Sequence, residues 1–238
     1  MKLFLILINL SLVFLPLNSE QNIPNTVNQT EIKTQLKIDK IIYSSNRDQI
    51  KTELTAPQLN VDHNLEHLYI SDPSFSIREN NSYKTVTASS ASFNNKNNLI
   101  EFDEKVQLRI SSSFENLLLD TGNLILNRDD DLITSNTNTY FKASNFNISS
   151  RKFIIRDFST DQNQIIFEDG KLLNPDTNEK LGSASEINYS LDSGILIMKG
   201  SAVIKNKALS IHADEIHYDP ERKKIIKSVN SKIINNSQ

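Results

Sequence analysis

The stretch Lys84 to Ile110, KTVTASSASFNNKNNLIEFDEKVQLRI, decides the fold. In its second half Ile100, Phe102, Val106, Leu108 and Ile110 share one parity, and Glu101, Asp103, Lys105, Gln107 and Arg109 share the other. Side chains of a strand alternate between its two faces, so this is a β-strand with one apolar and one wet face. The first half behaves differently, because Val86 and Ala88 are even-numbered whereas Ala91 and Phe93 are odd. The apolar side changes parity beside a small residue, and such a change requires a bulge or bend that turns the strand over.

The same signature, an apolar pair astride Ala or Thr followed by an apolar pair of opposite parity, recurs along the chain. It reads Leu54-Ala56-Leu59-Val61, Leu119-Thr121-Leu124-Leu126, Phe141-Ala143-Phe146-Ile148 and Ile211-Ala213-Ile216-Tyr218, with a shortened copy at Ala184-Ile187-Tyr189. A unit repeated this often points to a repeated structural element. The two halves of the chain are also related by a fixed offset. Ala184, Ile187, Tyr189, Met198, Ala202 and Ile204 line up with Ala88, Ala91, Phe93, Phe102, Val106 and Leu108.

A chain of 238 residues is long enough to bury a real core, yet only 37% of it is hydrophobic and it has no Trp. That composition suits a thin, elongated sheet structure better than a thick globule. A net charge of -3 with no basic stripe excludes nucleic acid as the expected partner. With no cysteine, an exported form of the chain has no disulfides and draws its stability from the sheet. Residues 1–19 carry Lys2 and then the apolar run Leu3 to Leu17, broken by Asn9, Ser11 and Pro16. The run is short of the roughly 20 residues that a membrane-spanning helix needs, so a cleaved secretory signal is expected, with an uncleaved anchor as the alternative. Residues 20–35 read as a polar tether, residues 36–234 as one β-domain and residues 235–238 as a polar tail.

Past the signal no window keeps a 3.6-residue apolar period, so the domain reads as all-β, with roughly fourteen to eighteen short strands. Asn-rich pieces at Asn94 to Asn98, Asn127 to Asp131 and Ser144 to Asn147 have turn chemistry, as does Asn174 to Glu179, and Pro73 marks a bend.

The small residue, the bend and then an apolar-x-Gly-x-Val strand resemble the repeats of the lipopolysaccharide-export periplasmic proteins, the LptC/LptA (OstA-like) family. Met198-Lys199-Gly200-Ser201-Ala202 matches that strand with Ala202 at the Val position, and Phe102-Asp103-Glu104-Lys105-Val106 matches with Glu104 in place of the glycine. From Ile41 to Ile155 the order of features looks most like LptC: Tyr43, then Ala56 and Leu59, then Pro73, then Leu119, Thr121 and Leu124. Gly182 to Ile226 looks more like LptA. The resemblance implies a twisted, open β-jelly roll with no catalytic residue, cofactor or metal, whose apolar interior accepts the acyl chains of lipopolysaccharide. It implies a periplasmic location, either free or held at the inner membrane by the N-terminal segment. It implies edge-to-edge stacking with other Lpt rolls, and an inner-membrane ABC transporter, another roll or both as partners. On this reading the groove is lined by Ile100, Phe102, Val106 and Leu108, and by their counterparts Met198, Ala202 and Ile204.

Other readings are weaker on chemical grounds. His63-Asn64-Leu65-Glu66-His67 spells H-x-x-E-H, a zinc-hydrolase pattern that needs both histidines on one face of a helix. Here it lies between two strand-like segments, where it reads as a turn. His212 and His217 oppose Ile211 and Ile216 and are expected to face solvent, and Asp129-Asp130-Asp131 reads as a solvated turn. No phosphate loop, nucleophile elbow or cysteine nucleophile is present. The remaining alternative is a structural or adhesive β-protein of the envelope that assembles through its edge strands.

Overall fold

The computed structural model describes residues 36–235, apart from 48–49, 63–65, 80–81, 95, 112–114, 159–163 and 206–207. The expected signal, tether and terminal tail lie outside the described residues, save Asn235 at the end of the last strand. Eighteen strands follow one another: β1 (Leu36–Arg47), β2 (Ile50–Val61), β3 (His67–Ser71), β4 (Ser74–Glu79), β5 (Ser82–Thr87), β6 (Ser90–Asn94), β7 (Leu99–Ser111), β8 (Asn116–Asn127), β9 (Leu132–Ser135), β10 (Thr139–Lys142), β11 (Asn147–Ser150), β12 (Lys152–Arg156), β13 (Gln164–Leu173), β14 (Lys180–Ser190), β15 (Leu196–Lys205), β16 (Leu209–Asp219), β17 (Lys224–Val229) and β18 (Lys232–Asn235). Among the described residues there is no helix, and every pairing is antiparallel. The all-β expectation holds.

The sheet is folded over on itself along a line of bends, like a sheet of paper creased lengthwise. On one leaf the order is β1, β2, β3, β6, β7, β8, β9, β12, β13, β14, β15, β16, β17. On the other it is β1, β2, β4, β5, β7, β8, β10, β11, β13, β14, β15, β16, β18. The long strands β1, β2, β7, β8 and β13 to β16 belong to both leaves and bend at the crease, whereas the short strands each belong to one. This is a β-jelly roll. The crease is where the recurrent sequence signature falls: inner residues step from Ala56 to Leu59, from Thr121 to Leu124, from Ala184 to Ile187 and from Ala213 to Ile216, all of them buried.

On β7 the crease takes another form. Asp103 pairs with Asn123 but Val106 with Thr121, so β7 carries one more residue than β8, at Glu104-Lys105 with φ of 60° and 52°. The surplus residue keeps Phe102 and Val106 on one parity, and an alternation that reads as unbroken in sequence is therefore divided between the leaves. β15 repeats this at Gly200 and Ser201, with φ of 72° and 50°. Glutamate thus adopts the left-handed conformation that glycine holds in the second copy. The register repeats as well. Val86, Ala91 and Phe93 face Leu108, Phe102 and Ile100, as Gly182, Ile187 and Tyr189 face Ile204, Met198 and Leu196. The relation between the two halves is therefore structural.

One copy of the signature is something else. Phe141-Ala143-Phe146-Ile148 does not cross the crease but closes the β10–β11 hairpin, with Lys142 paired to Asn147 and the Ala143 amide donating to the Phe146 carbonyl at 3.0 Å. An Asn-rich turn and a crease give the same apolar spacing, which is why sequence alone merged them. In this region the chain first crosses from β9 to β10 and crosses back from β11 to β12. A knot of hydroxyls pins the first crossing: Thr121 Oγ1 lies 2.7 Å from Ser135 Oγ and 2.8 Å from Thr137 Oγ1, and Thr139 Oγ1 donates to it at 3.2 Å. Buried hydroxyls that satisfy one another avoid the desolvation cost of an unpaired polar group.

Candidate functional site

The inner faces of the two leaves form one apolar core from Ala56 to Tyr218. Phe102, Val106 and Leu108 are buried in it, and Ile100 is half-buried against it. Met198 and Ala202 are buried, and Ile204 packs at its edge. Every residue of the expected row points inward. Ile100, Phe102 and Met198 lie on one leaf and Val106, Leu108, Ala202 and Ile204 on the other, because the crease crosses β7 and β15 between them.

Burial is deepest in the middle of the roll and relaxes towards both ends. Ile133, Phe141, Ile148, Phe153, Ile155, Phe167 and Ile187 are wholly inaccessible. At the N-terminal end the inner row runs out into Ile38, Ile41 and Leu36, the last 43% exposed. At the C-terminal end it runs out into Ile211, Ile225 and Ile233, the last 64% exposed. The interior is thus an apolar tract that reaches both terminal edges. Those edges, β1 at one end and β17 with β18 at the other, are bonded on one side only among the described residues.

Sequence reasoning missed the centre of this tract. Phe141 lies 5.1 Å from Phe167, 5.7 Å from Phe146 and 5.8 Å from Tyr189, and Phe146 meets Tyr189 edge-on at 5.1 Å. Phe141 and Phe146 belong to one leaf and Phe167 and Tyr189 to the other, so three of these four contacts fasten the leaves together, each such pair contributing about 0.5–1.5 kcal/mol beyond its area. The clue was present, since Phe146 and Phe141 were already in the repeated signature, but the hairpin that joins them was not legible. Tyr189 is held well above the ordinary tyrosine range, first by burial and then by its hydrogen bond to Glu115 and that carboxylate's charge. It remains a hydroxyl donor throughout neutral pH.

The outer faces are polar ladders. Asn123 Nδ2 donates to Glu101 and Asp103 at 3.0 and 2.9 Å, Gln107 donates to Asp120 at 2.9 Å, and Lys152 pairs with Glu168 at 3.1 Å. His217 lies on that side, 2.7 Å from Glu215, and its bond holds the Glu215 carboxyl below the usual range, with Lys227 adding to the effect. His212 is half-exposed. Of the H-x-x-E-H stretch, His63 lies outside the described residues, Glu66 pairs with Lys96 at 2.8 Å, and His67 opens β3, stacked 6.4 Å from Tyr69. Among the described residues no group of His, Asp and Glu is arranged to hold a metal ion. Asn98 and Asn127 bond Asp129 and Asp130, as expected of a turn.

A creased antiparallel sheet with an apolar core between its leaves, polar outer faces and terminal edges bonded on one side defines the class as a β-jelly roll. Consistent with that class, residues 3–157 match the family described as lipopolysaccharide-assembly, LptC-related, and the chain belongs to this family. Membership makes it a component of lipopolysaccharide transport on the periplasmic side of the envelope. No curated protein matches the chain. The family match stops short of β13, yet β13 to β18 continue both leaves without interruption.

Proposed function

We propose that the roll carries lipopolysaccharide by its acyl chains, that these chains lie between the leaves along the inner rows of β7 and β15, and that the chain performs no catalysis of its own. The observation that carries the reading is the continuity of the apolar tract from Leu36 to Ile233, deep in the middle and open at both edges. Each methylene moved out of water contributes about 0.8 kcal/mol, so a few acyl chains supply ample binding free energy with no polar chemistry. We read β13 to β18 as an LptA-like lengthening of the LptC-like part. The half-bonded edges β1 and β17 with β18 are the surfaces on which further rolls, or a membrane transporter, add as sheet continuations.

The test is photo-crosslinking in cells. A photoreactive side chain at Phe102 or Ile204 should capture lipopolysaccharide, and the same group at Glu101 or Lys205, on the outer face, should not. Equal capture on both faces, or none on either from folded protein, refutes the groove and leaves an envelope structural protein that assembles through its edges.

A further inference from the structure

The interior holds polar side chains for which an apolar tract has no use. Lys84 stands on the inner row of β5 between Ser82 and Val86 and is 4% exposed. Its ammonium group donates to the backbone carbonyl of Phe158 and lies 4.8 Å from the centre of that residue's ring. β5 belongs to one leaf, and Phe158 follows β12 at the free margin of the other, the margin away from the crease. A second bridge spans the same gap. Glu115 precedes β8 at the margin of one leaf and accepts the hydroxyl of Tyr189, which comes from the inner face of the opposite leaf. The same carboxylate accepts the Ser144 amide of the β10–β11 hairpin at 3.3 Å.

We propose that Glu115, Tyr189 and Ser144, with Lys84 and Phe158, form a polar clasp that holds the free margins of the leaves together and opens to admit an acyl chain sideways into the middle of the roll. The inference rests on the reading that acyl chains occupy the interior. Three observations support it. The Lys84–Phe158 and Glu115–Tyr189 bridges run from one leaf to the other, and the Ser144 amide fixes the Glu115 carboxylate from its own leaf. They close the region where burial is complete, whereas the ends need no opening. Tyr189 also belongs to both the clasp and the aromatic cluster, so release of its hydroxyl frees a ring that packs on Phe141 and Phe146.

The chemistry of the bridges suits a closure that reopens. A hydrogen bond exchanges with water or with a polar headgroup at little net cost, whereas an apolar seam of the same size resists separation by its whole buried area. Because Tyr189 stays protonated, competition for the donor and not titration near neutral pH opens the clasp.

The rate of uptake of a long-chain fatty acid bearing an environment-sensitive fluorophore tests this. The chain has no cysteine, so Ser144→Cys and Ser190→Cys, one on each margin, can be joined by a cleavable bis-maleimide without touching Glu115 or Tyr189. The joined protein should take up the probe at least about tenfold more slowly, and cleaving the link should restore the rate. Tyr189→Phe, which keeps the ring, should accelerate uptake about tenfold, the worth of one hydrogen bond to a charged group. Glu115→Gln, at a half-buried position, is the second variant and should move the rate in the same direction. Equal rates in joined, cleaved and variant proteins, all binding the probe, refute the clasp and leave the acyl-chain reading intact. Failure of the unmodified protein to bind the probe refutes that reading and the clasp with it.

Discussion

Replacing Glu104 by glycine should make this protein more stable, although the exchange removes a side chain and adds backbone freedom. Glu104 holds φ at 60° on the crease of β7, a conformation that costs an L-residue about 1–2 kcal/mol because Cβ crowds the following carbonyl. Glycine escapes that strain but gives up about 0.5–1 kcal/mol of extra unfolded-state entropy. The net gain is then about 0.5–1 kcal/mol, which for a chain of this size raises Tm by about 1–4 °C. The Glu104 carbonyl accepts the Ser89 amide at 2.9 Å, a backbone bond that the substitution leaves in place. The mirror exchange sharpens the test. At Gly200, φ is 72° and an added Cβ would lie 3.0 Å from Ser185 Cβ, so Gly200→Ala should lose about 1–2 kcal/mol. Thermal denaturation followed by far-ultraviolet circular dichroism measures both. A Tm for Glu104→Gly at or below that of the parent would refute the equivalence of the two creases.

Other expectations follow from close packing and burial. Gly182→Ala places a Cβ against the Val203 carbonyl oxygen and within 3.3 Å of Met198 Cε, and should cost about 1–3 kcal/mol in urea denaturation. Phe102→Asp, at a position 1% exposed, should abolish acyl-probe binding and destabilise the roll by several kcal/mol, and Tm is measured alongside to separate the two effects. Replacing His63, Glu66 and His67 together by Ala should change stability by no more than about 1 kcal/mol, the range of an exposed ion pair such as Glu66 with Lys96, and leave metal content, measured by elemental analysis, the same as the parent's. The raised pKa of Tyr189 means that its contribution is complete below the ordinary tyrosine value near 10 and is lost as pH rises above it. Alkaline unfolding should therefore begin above about pH 10 and be blunted in Tyr189→Phe.

Where side-chain period reports a face directly, the sequence was sufficient. The inward rows of β7 and β15 and the small residues at the crease were legible because inner and outer residues differ in chemistry at every step. The two leaves were not, because parity on β7 passes through the surplus residue at Glu104-Lys105 unchanged and conceals the division. The β10–β11 hairpin was misread as a crease because both place apolar residues at the same spacing. The clasp was invisible for a different reason. Lys84 with Phe158, and Glu115 with Tyr189, lie 74 positions apart, and no periodicity relates a residue to its partner across a closed fold.

The repeated register has a thermodynamic consequence for the proposal that acyl chains occupy the interior. Around β7 and again around β15 the walls present the same pairings, Phe102 opposite Ala91 and Met198 opposite Ile187, about six strand spacings or roughly 29 Å apart. On that proposal, a hydrocarbon chain that left the first setting for the second would trade one apolar environment for a near equivalent, so the move would have almost no downhill component. The interior would then be a level track. Net movement along such a track would be set by what enters at one end and what is withdrawn at the other.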